Sequence, residues 1–239
     1  MELLVKGAAA LGIQLDTAQA EQFRRYYELI VEWNKRFNLT RITDWEQAVL
    51  HHFLDSLTIG MVLPPALERL NGRVLDVGSG AGVPGVPLMI AFPGLQVTLI
   101  EATAKKAKFL AHVADELSLS NLTVCAGRAE SLAHDSGLRE SFDAVLAKAV
   151  AKLNVLAELT LAFCRVGGIV VAQKGPTVHD EVDEAGRAIE LMGGETEDVR
   201  EVAAPGATEP RSLVVIRKSA PTPGRYPRRP GMPAKRPLQ

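Results

Sequence analysis

The sequence predicts an α/β protein built on a mostly parallel sheet. Three observations predict it. Beyond Pro64-Pro65, short apolar strands alternate with helical segments; a glycine-rich loop follows the first strand directly; and before Pro64 the apolar residues keep helical spacing alone. With 239 residues, 47% of them apolar and 23% charged, the chain is long enough to bury one substantial core. The expected organisation is a helical extension over residues 1–63 packed on that core, a principal domain over 64–218 and an arm over 219–239.

Asp16 followed by Gln19 fits a capping box, and Phe23, Tyr27, Ile30 and Val31 then recur at helical spacing, so a helix is expected to about Phe37. The polar, cap-prone residues from Asn34 to Thr40 read as a loop. A second helix starts after Asp44 and carries Val49, Phe53 and Leu57. Strands are expected at 73–77, 96–101, 123–125, 144–147 and 169–173, with helices at 86–91, 104–117, 153–163 and 178–192. A further pair, 196–202 and 213–217, closes the sheet. From Ser219 onward, Pro, Gly, Arg and Lys predict an extended arm without a core of its own.

Composition excludes several classes. The longest apolar stretch, Val74 to Ile100, contains Asp76 and is broken by three glycines of its loop and by Pro84, Pro87 and Pro93, so it is no membrane span. Met1 to Lys6 lacks the basic region and apolar core of a secretory signal. Cys125 and Cys164 lie in apolar segments, which argues against a disulfide framework and for the reducing cytoplasm. The net charge of −1 hides an asymmetry, because no acid follows Glu209 while eight basic residues do, leaving a body near −9 and a tail near +8. A solubilising tail and an arm for a polyanion both fit, and the Tyr and Pro among the cations favour the arm.

The strand Val74-Leu75-Asp76-Val77 runs straight into Gly78-Ser79-Gly80-Ala81-Gly82-Val83-Pro84-Gly85. Its alternate glycines let the backbone turn tightly at the carboxyl end of a parallel strand, where open α/β sheets bind ligands. Gly80, Gly82 and Gly85 also spell G-x-G-x-x-G, so a nicotinamide-dependent oxidoreductase stays open. Asp76 favours another ligand: an acid two residues before the first glycine suits the ammonium of a methionine moiety and repels a pyrophosphate. Glu101, 19 residues beyond Gly82, suits ribose hydroxyls in either case. Glu130, after Gly127-Arg128-Ala129, fits an adenine edge or the start of a helix. His51-His52 with Asp55 lacks zinc-ligand spacing and is expected on a helix face near the sheet; no metal site is expected.

The run from Val74 to Gly82 resembles motif I of class I methyltransferases, and Glu101 and Ala129-Glu130 fall at that fold's next binding positions. More specifically, Trp33-Asn34-Lys35 with Asn38-Leu39-Thr40, then His52-Phe53-Leu54-Asp55-Ser56, Gly82 to Leu88, Gln173-Lys174-Gly175, Arg211 to Ile216 and Tyr226 to Gly231 resemble the glucose-inhibited division protein B family across nearly the whole chain. Its members are bacterial 16S ribosomal RNA guanine-N7 methyltransferases. The resemblance implies a Rossmann-like, seven-stranded sheet with helices on both faces, S-adenosylmethionine as cofactor, and 16S ribosomal RNA or the 30S subunit as partner; a monomer is expected, though the sequence does not determine the oligomeric state. It implies Asp76, Gly78, Gly80, Val83, Glu101, Ala102, Thr103, Ala129 and Glu130 as cofactor-binding residues, with Lys148 at the reacting end. Thr103 also fits an N-cap for the helix that follows.

Two departures stand out. Lys148 occupies a position where the family commonly has Arg, which keeps the charge and loses the bidentate fork, and Ser212 follows Arg211 where a histidine is common. Candidates for phosphate contact are Lys35, Arg36, Arg41, Lys174, Arg211, Arg225, Arg228, Arg229, Lys235 and Arg236. Lys35 and Arg36 equally suit a solvated helix end. A non-catalytic RNA-binding assembly factor is the remaining alternative, against which the three acids and the glycine loop argue jointly.

Overall fold

The computed structural model describes residues 1–65, 67, 71–176 and 178–239. The strands are β1 (Arg73–Val77), β2 (Gln96–Glu101), β3 (Leu122–Ala126), β4 (Phe142–Lys148), β5 (Cys164–Lys174), β6 (Gly194–Val202) and β7 (Arg211–Lys218). They form one sheet in the order β3-β2-β1-β4-β5-β7-β6. The first five run parallel, β7 is antiparallel to β5, and β6 is antiparallel to β7. The chain order thus reverses between β1 and β4, which opens a crevice at the carboxyl end of β1.

Helices cover both faces. Alternation along each strand decides which residues meet which helices. Val74, Leu99, Leu146, Val171 and Val215 point into one core, shared with Leu4, Phe23, Tyr26, Phe53 and Phe109 from the N-terminal helices and the helix after β2. Leu75, Val77, Ile100, Val145, Val170 and Ile216 point into the other, with Leu156, Phe163, Ala188 and the tail residue Tyr226. Parallel strands buried on both faces are expected to be apolar, so the buried polar residues Asp76 in β1, Glu101 in β2 and Gln173 in β5 stand out.

At the N-terminus, α1 (Glu2–Ala10) and α2 (Thr17–Asn34) precede α3, three contiguous helical segments Trp45–Ala48, Val49–Leu54 and Asp55–Leu57. The capping box forms as expected, with the Asp16 carboxylate accepting from Gln19 N and the Gln19 side chain accepting from Asp16 N. The helix stops at Asn34, short of Phe37, because the Asn34 carboxamide oxygen accepts N–H bonds from Leu39 and Thr40 and folds the loop back. Asp44 caps the next helix through Gln47 N. The middle segment of α3, Val49–Leu54, is a π-helix, a wide turn that is rare in proteins and frequent at functional sites.

On the sheet's flanks lie α4 (Gly85–Ala91), α5 (Ala104–Glu116), α6 (Ala129–Leu132), α7 (Leu153–Thr160) and α8 (His179–Leu191). The arm has no core of its own, but it is not a free extension. It returns over the second face, buries Tyr226 and Pro233, and ends in a short helix, α9 (Met232–Lys235). Its polar backbone and Arg228 find partners on the body, so composition alone misjudged how much of it could dock. No helix among the described residues is long and apolar enough to cross a membrane.

Phe53 is fully buried, with ring centroids 5.1 Å from Phe23, 5.7 Å from Tyr26 and 6.1 Å from Trp45. Phe53→Ala removes the piece that joins α2 to α3, and a loss of about 3–5 kcal/mol is expected from urea unfolding.

Candidate functional site

The glycine loop is shaped by backbone geometry and by crowding. Gly78, Gly80 and Gly82 all have positive φ, at 75°, 58° and 96°. A Cβ on Gly82 would lie 2.8 Å from the Tyr26 hydroxyl oxygen, and one on Gly85 would lie 2.4 Å from Leu99, so a side chain at either position would force its neighbours to shift. Tyr26 anchors the loop from α2 by donating its hydroxyl to the Ala81 carbonyl at 2.6 Å. Around Gly80 the space is open, which leaves the apex of the loop free to approach a ligand.

Asp76 sits beneath this loop. Its Oδ2 accepts the Gly85 N–H at 3.0 Å, while Oδ1 is buried without a hydrogen-bond partner among the described residues. Burial pushes the carboxyl up to about 7, against the lowering pull of the Gly85 N–H and of Lys148. Glu101 ends β2 with both oxygens engaged, Oε2 accepting from Gly80 N at 3.0 Å and Oε1 from Thr103 N at 2.6 Å. Ala102 and Thr103 follow it, exposed at the start of α5; Thr103 holds the N-cap position without a side-chain capping bond. Ala129 and Glu130 begin α6 and are buried. The Glu130 carboxylate accepts from Arg128 Nη2 and, unexpectedly, from the tail's Gly231 N at 2.8 Å. Although burial raises its pKa, these hydrogen bonds hold it below the usual value.

On the β4 side, a cavity of about 730 Å³ opens beside the loop. Gly78, Gly80 and Val83 form one wall, and Lys148, Gln173, Lys174 and Arg211 form another. The volume suits a nucleoside-sized ligand. Strand order therefore divides the expected residues into two groups: Glu101 to Thr103 and Ala129-Glu130 on the β2–β3 side of the loop, and Lys148 on the β4–β5 side with Lys174 and Arg211.

The charges of the cavity are paired. Lys148 Nζ lies 2.6 Å from Asp55 Oδ2 and donates to the His51 carbonyl at 3.0 Å. Burial pulls the Lys148 pKa down, and Asp55 opposes that pull. Arg211 Nε lies 3.4 Å from Asp55 Oδ1, and Gln173 Nε2 donates to the Asp55 backbone carbonyl and Oδ1. Lys174 pairs with Glu181 at 2.8 Å. His52 contacts Thr40 Oγ1 at 2.9 Å; burial, then Lys148, lowers its pKa to about 4, so it stays neutral near pH 7.

Asp55, His51, His52, Thr40 and Gln173 line or support this cavity, a role the spacing of His51, His52 and Asp55 did not suggest. The available signal was Asp55 itself, an acid inside an apolar helical stretch. Lys35, Arg36 and Arg41 are exposed, and Lys105 of α5 joins them with its ammonium 5.2 Å from the Phe37 ring centroid. In the arm, Arg225, Arg229, Lys235 and Arg236 are exposed, whereas Arg228 turns inward onto Glu158. No group of three potential metal ligands occurs among the described residues.

The Asp76 titration has a stability consequence. Between pH 3.8 and about 7 the folded protein keeps a proton that the unfolded chain has lost, so this group's contribution to stability falls as pH rises across that window. Asp76→Asn removes the effect. Relative to the parent, the variant's urea midpoint is expected to improve from acid to neutral pH.

Comparison with known proteins agrees with this geometry. The family described as rRNA small subunit methyltransferase G (GidB) matches residues 19–213. Ribosomal RNA small subunit methyltransferase G of Roseiflexus sp. (strain RS-1) is 49% identical over 238 residues, covering 100% of both chains. The protein of the same name from Dehalococcoides mccartyi (strain CBDB1) is 45% identical over 240 residues, again 100% of both, and that of Lactobacillus johnsonii is 42% identical over 237 residues, 99% of each. Among solved structures, a W203A mutant of the 16S rRNA (adenine(1408)-N(1))-methyltransferase from Catenulisporales acidiphilia superimposes with a TM-score of 0.52 at 17% identity, covering 66% of this chain and 91% of that one. An S-adenosylmethionine-dependent methyltransferase in its apo form gives 0.51 at 21% identity, covering 70% and 56%. The structural likenesses carry the class I methyltransferase fold, and the sequence match carries the family: this chain belongs to the rRNA small subunit methyltransferase G family.

Proposed function

We propose that this chain transfers the methyl group of S-adenosylmethionine to N7 of a guanine in 16S ribosomal RNA of the small ribosomal subunit. The observation that carries the reading is a positive-φ glycine loop over buried Asp76, opening into a cavity walled by Lys148 and Arg211, in a chain related over its full length to proteins named ribosomal RNA small subunit methyltransferase G. Family membership sets aside the oxidoreductase and the non-catalytic assembly factor. On this reading residues 1–63 form the extension, 64–218 the catalytic domain and 219–239 the arm. The protein acts in the cytoplasm as a monomer.

The residues fit the cofactor. The unpartnered Asp76 Oδ1 suits an ammonium, Gly78, Gly80 and Val83 offer a close backbone surface, and Glu101 with Ala102 and Thr103 suits a ribose. Ala129 and Glu130 frame the adenine. When bound, S-adenosylmethionine supplies an electrophilic methyl group. Guanine N7 already holds an in-plane lone pair, so no general base is needed, and the neutral His52 beside the cavity is not required to act as one. The protein's contribution is to align N7 with the methyl carbon and sulfur. Lys148 is the candidate to orient the base, while Asp55 compensates its charge as positive charge develops on the purine.

In duplex RNA the N7 edge lies in a groove too deep and narrow for side chains, so the target guanine is unpaired or splayed out. Lys35, Arg36, Arg41 and Lys105, and Arg225, Arg229, Lys235 and Arg236 of the arm, are exposed, which supports them as the cations that meet phosphates around it.

The test is transfer of labelled methyl from S-adenosylmethionine to 30S subunits and to deproteinised 16S RNA from a strain lacking the corresponding gene. Labelled 7-methylguanosine is expected; another labelled nucleoside, or none, overturns the reading. Asp76→Ala and Glu101→Ala are each expected to weaken S-adenosylhomocysteine binding by about tenfold, the scale of one hydrogen bond to a charged group, as measured by titration calorimetry. Lys148→Ala is expected to lower kcat while leaving that affinity within about threefold, consistent with a role in orienting the base.

A further inference from the structure

The arm has two unlike sides. Outward it presents Arg225, Arg229, Lys235 and Arg236, for which no ion pair occurs among the described residues. Inward it is bonded at several points to the body. Arg228 Nε and Nη2 grip the Glu158 carboxylate at 2.6–3.1 Å, and Arg228 N donates to the same group at 2.6 Å. Glu158, on α7, has no solvent exposure at all. Arg139 donates to the carbonyls of Thr222 and Tyr226, each at 2.9 Å, and to that of Ala133; His134 Nε2 lies 2.9 Å from the Pro227 carbonyl. Gly231 N donates to Glu130.

These contacts surround α6, which has only four residues. A single turn that short does not hold its geometry unaided. Its support comes from α7 behind it and from the arm across it, and the arm reaches both: Glu158 of α7 through Arg228, and Glu130 of α6 through Gly231. A bidentate arginine on a fully buried carboxylate fixes both distance and direction, which makes the docking specific.

We propose that the docked segment Thr222–Gly231 braces the adenine wall of the cofactor site, with Arg228 and Gly231 as positioning residues that act through Glu158 and Glu130. The proposal rests on the reading that Ala129 and Glu130 meet the adenine. It makes the arm part of the cofactor site as well as a candidate RNA surface, so losing it impairs cofactor binding before any RNA is present.

The experiment measures S-adenosylhomocysteine affinity by calorimetry, without RNA, for the full chain, for Arg228→Lys and for a chain ended after Arg229. Amide hydrogen exchange of residues 128–133 is followed in parallel. The shortened chain keeps the Arg228–Glu158 pair, so it tests the end of the arm that carries the Gly231–Glu130 bond and α9 without stranding the buried Glu158, and it decides the matter should an Arg228 substitution fail to fold. Affinity is expected to fall about tenfold in the shortened chain, with faster exchange at 128–133, and by an intermediate amount in Arg228→Lys, which keeps the charge without the fork. Unchanged affinity in both variants, while the ligand slows exchange at 128–133 in the full chain, overturns the brace and leaves the adenine reading standing. If the ligand does not slow exchange there in the full chain, the adenine reading fails and the brace with it.

Discussion

Asp55 is buried to 3% exposure between two cations from different strands, Lys148 at the end of β4 and Arg211 at the start of β7, and it also accepts from Gln173 at the end of β5. Burying Lys148 without a partner would be costly, and removing one member of such a set strands the others. The carboxylate arrives from α3, so the N-terminal helices are tied to the carboxyl edge of the sheet by charge as well as by the shared apolar core. That tie fixes α3 against the cavity wall formed by Lys148, Gln173 and Arg211. The π turn contributes at the same place, since the His51 carbonyl within it takes the second Lys148 hydrogen bond.

Charge compensation also bears on the chemistry. In the proposed reaction, methylation at N7 moves positive charge from sulfur to the purine, and an uncompensated ammonium beside the base would oppose it. Here Lys148 and Arg211 share Asp55, and Lys174 has Glu181. The cavity therefore offers hydrogen-bond donors whose positive charge is largely offset, with Asp55 shared between two cations. Below the loop the situation is reversed: Asp76 has one oxygen unpartnered and a pKa raised to about 7, a cost that a bound ammonium would relieve.

The parallel core was legible because strands buried on both faces carry a predominantly apolar signal, and β1 and β2 fall at the expected residues. Turn chemistry was legible where one side chain decides it, as with Asp16 and Asp44. The glycine loop and its acids could be read from local spacing. Asp55 could not be assigned its role that way, because its partners lie 93, 118 and 156 positions away and only the fold brings them together. The helix Glu2–Ala10 likewise depends on a tertiary partner, burying Leu4 and Ala8 in the core shared with α2 and α3.

The arm shows why composition underdetermines structure in a charged, proline-rich segment. Such a segment lacks enough apolar surface to fold alone, and the sequence reading of an extended arm followed from that. Docking asks for less: a few apolar contacts and partners for its polar groups, which the body supplies through Glu158, Glu130 and Arg139. Glu158 is the residue that makes the difference, since an acid with no solvent exposure needs a fixed cation and Arg228 provides it. Of the five arm cations first considered for RNA, this pairing commits one to the fold and holds the segment bearing the other four against the body. A strip anchored in this way loses less conformational freedom on meeting phosphates than a free tail would, so its remaining charges act from a prearranged surface.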